Sequence, residues 1–166
     1  MKKDVFISYS SKENSTAYTI RDVLERNGIS CWMAPESIPY GSDYSEEIPR
    51  GIEESSVFLL LVSDNAQASR WVKNEMLKAV SLGKTIIPFF ISKCEMTESF
   101  DFSLGGPQRW YAYENLSDNL EKLVKHIKAL IGVTSSKSAE TKKQEKKPAN
   151  VENKASDSDK EKSLRE

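Results

Sequence analysis

Short apolar runs alternate along the chain with stretches whose apolar residues recur every three to four positions. Asp4–Tyr9 reads as a short strand. Glu13–Asn27 carries Ala17, Ile20, Val23 and Leu24 at the spacing of one helix face, and Gly28 supplies its stop. Ile29–Met33 reads as a second short strand. The loop after it, Ala34 to Ser42, is rich in breakers (Pro35, Pro39, Gly41). Ser42 or Asp43 offers a cap for a helix running to about Ser55, within which Pro49 predicts a kink or a split. Ser56–Val62 is a continuous apolar run, the mark of a strand covered on both faces. A helix starting at Ala66 or Ser69 runs to Leu82 and is stopped by Gly83. Thr85–Ile91 is another buried strand, whose Pro88 predicts a bulge or an edge position. Trp110–Tyr113 is a weak fifth strand. Ser117 is the expected cap of a last helix that turns Leu120, Leu123, Val124, Ile127, Leu130 and Ile131 inward.

Alternation of strands and helices predicts an α/β fold: a parallel sheet with helices on both faces. For five strands the flavodoxin-like order 2-1-3-4-5 is the default three-layer arrangement. Ligands in such sheets bind where the strand order reverses, outside the carboxyl ends of strands 1 and 3. Those ends are Tyr9-Ser10-Ser11 and Ser63-Asp64.

Composition trims this picture. From Val133 onward the chain has no aromatic residue and is mostly Lys, Glu, Ser, Ala and Asp. So little apolar surface cannot offset the entropy of ordering, which predicts a folded part over 1–132 and a disordered charged tail over 133–166. The tail's charges are interleaved in sign, unlike a polybasic membrane anchor or a nucleic-acid arm. The net charge of −1 gives no attraction to polyanions. Cys31 and Cys94 stand apart, outside any CxxC or metal-ligand spacing, as in a reduced cytosolic chain. The apolar stretch after Lys2 and Lys3 is too short for a signal peptide, and no window approaches a membrane span. A cytoplasmic protein with no nucleic-acid, membrane or metal partner is expected.

The candidate chemistry centres on Ser69-Arg-Trp71-Val-Lys-Asn-Glu75, just after the third strand. Trp71 and Glu75 are four apart on a helix and share a face, placing a flat apolar plate beside a carboxylate. Such a pair suits a cationic or sugar-bearing ligand; it is also what an ordinary half-buried helix face looks like. The chain has no GxGxxG or Walker A loop, so any dinucleotide is held differently from the Rossmann mode. The one histidine, His126, reads as a helix-surface residue.

Taken in order, these segments resemble the TIR (Toll/interleukin-1 receptor) domain family, its bacterial members above all. Asp4-Val-Phe-Ile-Ser-Tyr-Ser10 is similar to the family's first box. Trp32-Met-Ala-Pro-Glu-Ser-Ile-Pro-Tyr-Gly41, running on to Ile48, is similar to its second strand and BB loop. Ser63 to Ser69 followed by Trp71-Val-Lys-Asn-Glu75 resembles the serine-spaced segment before the family's acidic residue, and Gly83 to Pro88 resembles the fourth strand.

The resemblance implies one of two functions. Some TIR domains cleave the nicotinamide–ribose bond of NAD+, giving nicotinamide with ADP-ribose or a cyclic ADP-ribose isomer. In bacteria they act in antiviral defence, by depleting NAD+ or by making a signal for a separate effector protein. Others are non-catalytic modules that only associate with other TIR copies. In the enzymes the glutamate matched by Glu75 is essential, and NAD+ is the substrate, with no further cofactor. Nicotinamide leaves a cationic ring as a neutral molecule, so one carboxylate suffices to stabilise the developing ribosyl cation. Trp32, Tyr44 and Trp71 are the candidates to stack on the bases. Tyr9, Ser10 and Ser11 are candidates for ribose or phosphate contacts, and Ser69 is grouped with them. The loop residues Pro35, Ile38, Pro39 and Gly41 are expected to mediate self-association, and Gly41 to hold a backbone angle other residues resist. The tryptophans are equally compatible with a plain core role. A phospho-receiver shares the sheet order, but Asp4 lies at the wrong end of strand 1 and Asp64 is alone.

Overall fold

A computed structural model describes residues 2–143, with side chains through 132. Its five-stranded sheet has the order β2-β1-β3-β4-β5, all parallel, as the alternation predicts. The strands are β1 (Lys3–Ser8), β2 (Cys31–Trp32), β3 (Ser55–Val62), β4 (Thr85–Phe90) and β5 (Trp110–Tyr111). Helices α1 (Asn14–Arg26) and α6 (Leu116–Lys143) cover one face. The other carries α2 (Tyr44–Glu54), α3 (Asp64–Ala68), α4 (Arg70–Ser81) and α5 (Glu98–Leu104).

The pleat divides the core in two. Val5 and Ile7 of β1 and Val57, Leu59 and Leu61 of β3 point to the α1/α6 side, against Ala17, Ile20, Leu24, Leu123 and Ile127. Phe6, Phe58, Leu60 and Val62 point the other way, against Ile52, Val72, Met76, Ala79 and Phe100. Strands buried on both faces need such unbroken apolar runs.

Several boundaries differ from the sequence reading. Helix α1 ends as expected at Gly28 (φ +80°), whose N–H bonds Glu25 O while Ile29 N–H reaches Leu24 O. Asp43, not Ser42, caps α2, accepting from Ser45 N at 2.8 Å. Pro49 neither splits nor ends that helix. Pro88 does not sit on an edge strand, since β4 is flanked by β3 and β5. Ile91 N donates to Val62 O, so Pro88, out of phase with it, turns its missing donor toward β5, where pairing begins only at Phe89. The 3₁₀ turn Ala112–Glu114 cuts β5 short, and Asn115 rather than Ser117 caps α6, through Asp118 N at 3.1 Å. Helix α5, capped by Thr97, was not expected; seven residues are too few to show a period. Helix α6 continues through Lys143, past the expected boundary at 132. The rest of the expected tail, 144–166, lies outside the described residues. No helix among them is long and apolar enough to cross a membrane.

Candidate active site

Glu75 is placed by the arithmetic of α4. Val72, Met76 and Ala79 are the buried stripe of that helix, and Glu75 falls into the same i, i+3, i+4, i+7 series. A carboxyl group thus occupies a position the helix reserves for core residues. Ser69 fixes where the helix begins: its hydroxyl accepts from Val72 N at 3.3 Å, and the same residue ends α3.

Facing α4, Ser8 ends β1 on the same side as Phe6. Its side chain is 1% exposed and donates to Glu75 Oε2 at 2.5 Å. Burial pushes the Glu75 carboxyl up to about 7, and the Ser8 hydroxyl partly opposes that shift by bonding the charged form. A carboxyl group that titrates near neutrality at the end of a central strand is the feature expected of a reactive group rather than a surface charge.

Glu75 lines a cleft of about 420 Å³ beyond the carboxyl ends of β1 and β2, walled by α1, α2 and the start of α4; Ser63 and Asp64 at the end of β3, expected there from the strand order, do not line it. Of the residues expected there, Tyr9, Ser11, Trp32, Tyr44, Ser69 and Trp71 all line it with Glu75. Trp71 is 58% exposed and forms a rim, while Trp32 is 7% exposed and stacks on Phe6, with ring centroids 4.7 Å apart. Ser10 does not belong: it is buried, and its hydroxyl caps the 3₁₀ turn Ser11–Glu13 through Lys12 N at 3.3 Å.

The loop between β2 and α2 separates into two parts. Its base is pinned. Tyr9 Oη donates to Ala34 O at 2.6 Å, Tyr18 Oη donates to Glu36, and Ser37 N donates to Met33 O at 2.9 Å. Burial pushes the Tyr9 hydroxyl up to about 12, so it stays a donor. Pro35 lines the cleft, and Ile38 packs into the core at 9% exposure. These two expected self-association residues therefore serve the fold and the cleft wall. The tip is closed by its own turn, Ser42 N donating to Pro39 O at 3.0 Å, with Pro39 and Gly41 exposed and Tyr40 fully so. Gly41 does adopt a positive φ, +82°.

Six cleft residues went unrecognised in the sequence: Phe6, Ile7, Asn14, Tyr18, Ala34 and Ile48. Asn14 and Tyr18 are four apart on α1, so they share a face, but nothing local says that this face meets a loop twenty residues on. Ser8 had a usable signal: it is the one polar residue in a run buried on both sides, and a buried hydroxyl needs a partner.

With this geometry in place, comparison with known proteins places the chain. A family model for the TIR domain matches residues 5–124. TMV resistance protein N of Nicotiana glutinosa is 30% identical over 93 residues, covering 52% of this chain and 8% of that protein. The TIR domain of the Toll-related receptor TRR-2 of Hydra magnipapillata superposes with a TM-score of 0.65 at 20% identity, covering 76% of this chain and 99% of that one. A TIR-STING receptor of C. gigas gives 0.60 at 22% identity, covering 75% and 40%. These two structural likenesses bear on the fold alone.

Proposed function

The chain belongs to the TIR domain family, and from that premise we propose that it cleaves the nicotinamide–ribose bond of NAD+ as a nucleosidase or cyclase. The observation that carries the reading is the Glu75 carboxyl set among aromatic walls and hydrogen-bonded by Ser8. In this reading the pyridinium ring lies in the cleft, and its positive charge offsets the cost of ionising a buried carboxyl group. The C1′–N bond breaks with its electron pair passing to nitrogen. Nicotinamide leaves neutral, and the positive charge moves onto C1′ and the ring oxygen of ribose. The Glu75 carboxylate stabilises that charge from a site that is already built, so little reorganisation is needed. Water then attacks C1′ and releases a proton, giving ADP-ribose. If the closed site excludes water, a nitrogen or hydroxyl of the same substrate attacks instead and a cyclic isomer forms.

Among the described residues the cleft is lined by no lysine or arginine, so the diphosphate finds no cation on these walls. A second copy of the chain docking through the exposed tip Pro39–Gly41 is the proposed source of the remaining contacts, which makes turnover depend on protein concentration. Defence signalling in the cytoplasm, with the product read by a separate effector, is the setting the reading implies.

The test is chromatography of NAD+ incubated with concentrated protein, beside Glu75→Gln. The expected outcome is nicotinamide release that rises faster than linearly with protein concentration and falls by about three orders of magnitude or more in the variant. The companion peak separates ADP-ribose from a cyclic isomer. Release that Glu75→Gln leaves intact would overturn the assignment. An absence of turnover at any concentration would favour a non-catalytic module instead.

A further inference from the structure

We infer that Gly51 of α2 is a positioning residue for the cleft, because the side chain it lacks is the space that seats the indole of Trp32. A Cβ at position 51 would fall 2.4 Å from Cε2 of Trp32, 2.7 Å from Cδ2 and 2.8 Å from Nε1. No Cβ tolerates such distances, and Trp32 is a large, nearly buried ring rather than a flexible chain end. The ring is also stacked at an interplanar angle of 11° on Phe6, which is in turn stacked on Phe58 with centroids 5.4 Å apart. That row crosses β2, β1 and β3 and leaves the indole no room to slide along the sheet.

The open spaces beside the indole are two cavities that it helps to line. One is the Glu75 cleft; the other, about 520 Å³, is bounded by Trp32, Gly51, Arg21 and Arg50. Trp32 is thus a partition, and Gly51 fixes where it stands. A side chain at position 51 drives the indole out of its stack into one cavity or the other. With Phe6 stacked on one face of the indole and Gly51 set against the other, either move withdraws the part of the cleft wall that the ring supplies. The catalytic carboxyl is held separately, by α4 and Ser8, and keeps its place. Binding and chemistry should therefore part company in a Gly51 variant.

The inference rests on the NAD+ reading of the cleft, and the experiment keeps the two separable. Gly51→Ala is compared with the parent chain, with Trp32→Phe and with the double variant. The reads are NAD+ kinetics and the indole N–H resonance of Trp32. We expect Gly51→Ala to shift that resonance and raise KM about tenfold while kcat changes by no more than about twofold. The same substitution in the Trp32→Phe background should cost little, because a phenyl ring leaves room for the methyl group. An unmoved resonance with unchanged KM would overturn the inference. So would a KM penalty, or a failure to fold, that persists with Trp32→Phe. If the parent shows no turnover, the NAD+ reading fails by itself. Titration with 1-methylnicotinamide, followed on the indole resonance, then decides whether Gly51→Ala weakens binding as inferred or leaves it unchanged.

Discussion

The two faces of the sheet are built from one set of strands and to different ends. The α1/α6 face is mainly aliphatic: Leu59 and Leu61 meet Ile20, Leu24, Leu123 and Ile127, the Cys31 thiol among its buried residues is kept neutral by burial, and only its margin, through Ile7, Asn14 and Tyr18, reaches the cleft. The α2/α4 face is aromatic, with the Trp32–Phe6–Phe58 row, and takes the half-buried Glu75 on the helix face that carries its buried stripe. One face holds the fold; the other gives up stability to keep a carboxyl group where water would otherwise solvate it. Burying an acid beside one hydroxyl is unfavourable for the charged form, and in the proposed reaction that cost is what the positive charge of the substrate offsets.

The sharpest way to break the comparison is to damage the quiet face. Leu59→Ala should destabilise the fold by about 2–5 kcal/mol through a cavity that the strands cannot close. The folded fraction should keep its kcat/KM for NAD+. Denaturant melts set beside turnover at low temperature check this, and a change in kcat/KM would mean that the faces are coupled.

Next in size is the stability the site gives up. The carboxyl of Glu75 sits at about 7 in the fold against an ordinary 4.5. Below the ordinary value it is neutral in both states and costs nothing. As pH rises from 4.5 to about 7 the unfolded chain gives up its proton while the fold still holds it, so stability is lost across that window and levels off above it. Glu75→Gln is neutral throughout, so it should melt at a higher denaturant concentration than the parent at pH 8, by on the order of 1–3 kcal/mol. The two should converge toward pH 4. In the parent, kcat/KM should rise with pH through about 7, because the carboxylate is the active form. A parent and variant of equal stability at pH 8 would mean that the carboxyl group is well solvated after all.

The smallest effect tests the link between the faces' shared strand and the site. Ser8→Ala removes the hydrogen bond that favours the charged form of Glu75. The acid limb of the rate profile should move to higher pH, with turnover at pH 7 down by a factor of about 3–10 and largely recovered by pH 9. A uniform loss at every pH would assign Ser8 to substrate contact instead.

The sequence by itself determined the elements and much of the site. Continuous apolar runs and stripes of period 3.6 are local patterns, and with the default order for five parallel strands they were enough to arrange the sheet and to put the crevice at the end of β1, though its other strand wall is β2 rather than β3. The same arithmetic made Trp71 and Glu75 neighbours on one helix, while the strand ends pointed to Tyr9 and Trp32 and the family resemblance to Tyr44, all of which line the cleft. Short or exceptional pieces escaped it: α5 spans too few residues to show a period, and Pro88 is accommodated by strand phase rather than by an edge. What only the tertiary structure decided were contacts between residues far apart in the chain. Ser8 meets Glu75 across 67 positions. Ile38, expected at an interface, is drawn into the core, while Tyr40 two residues on is left in solvent. Gly51 looks unremarkable within α2 until the indole of Trp32 is packed against it. Periodicity tells which face of an element is buried; what that face touches depends on how whole elements pack.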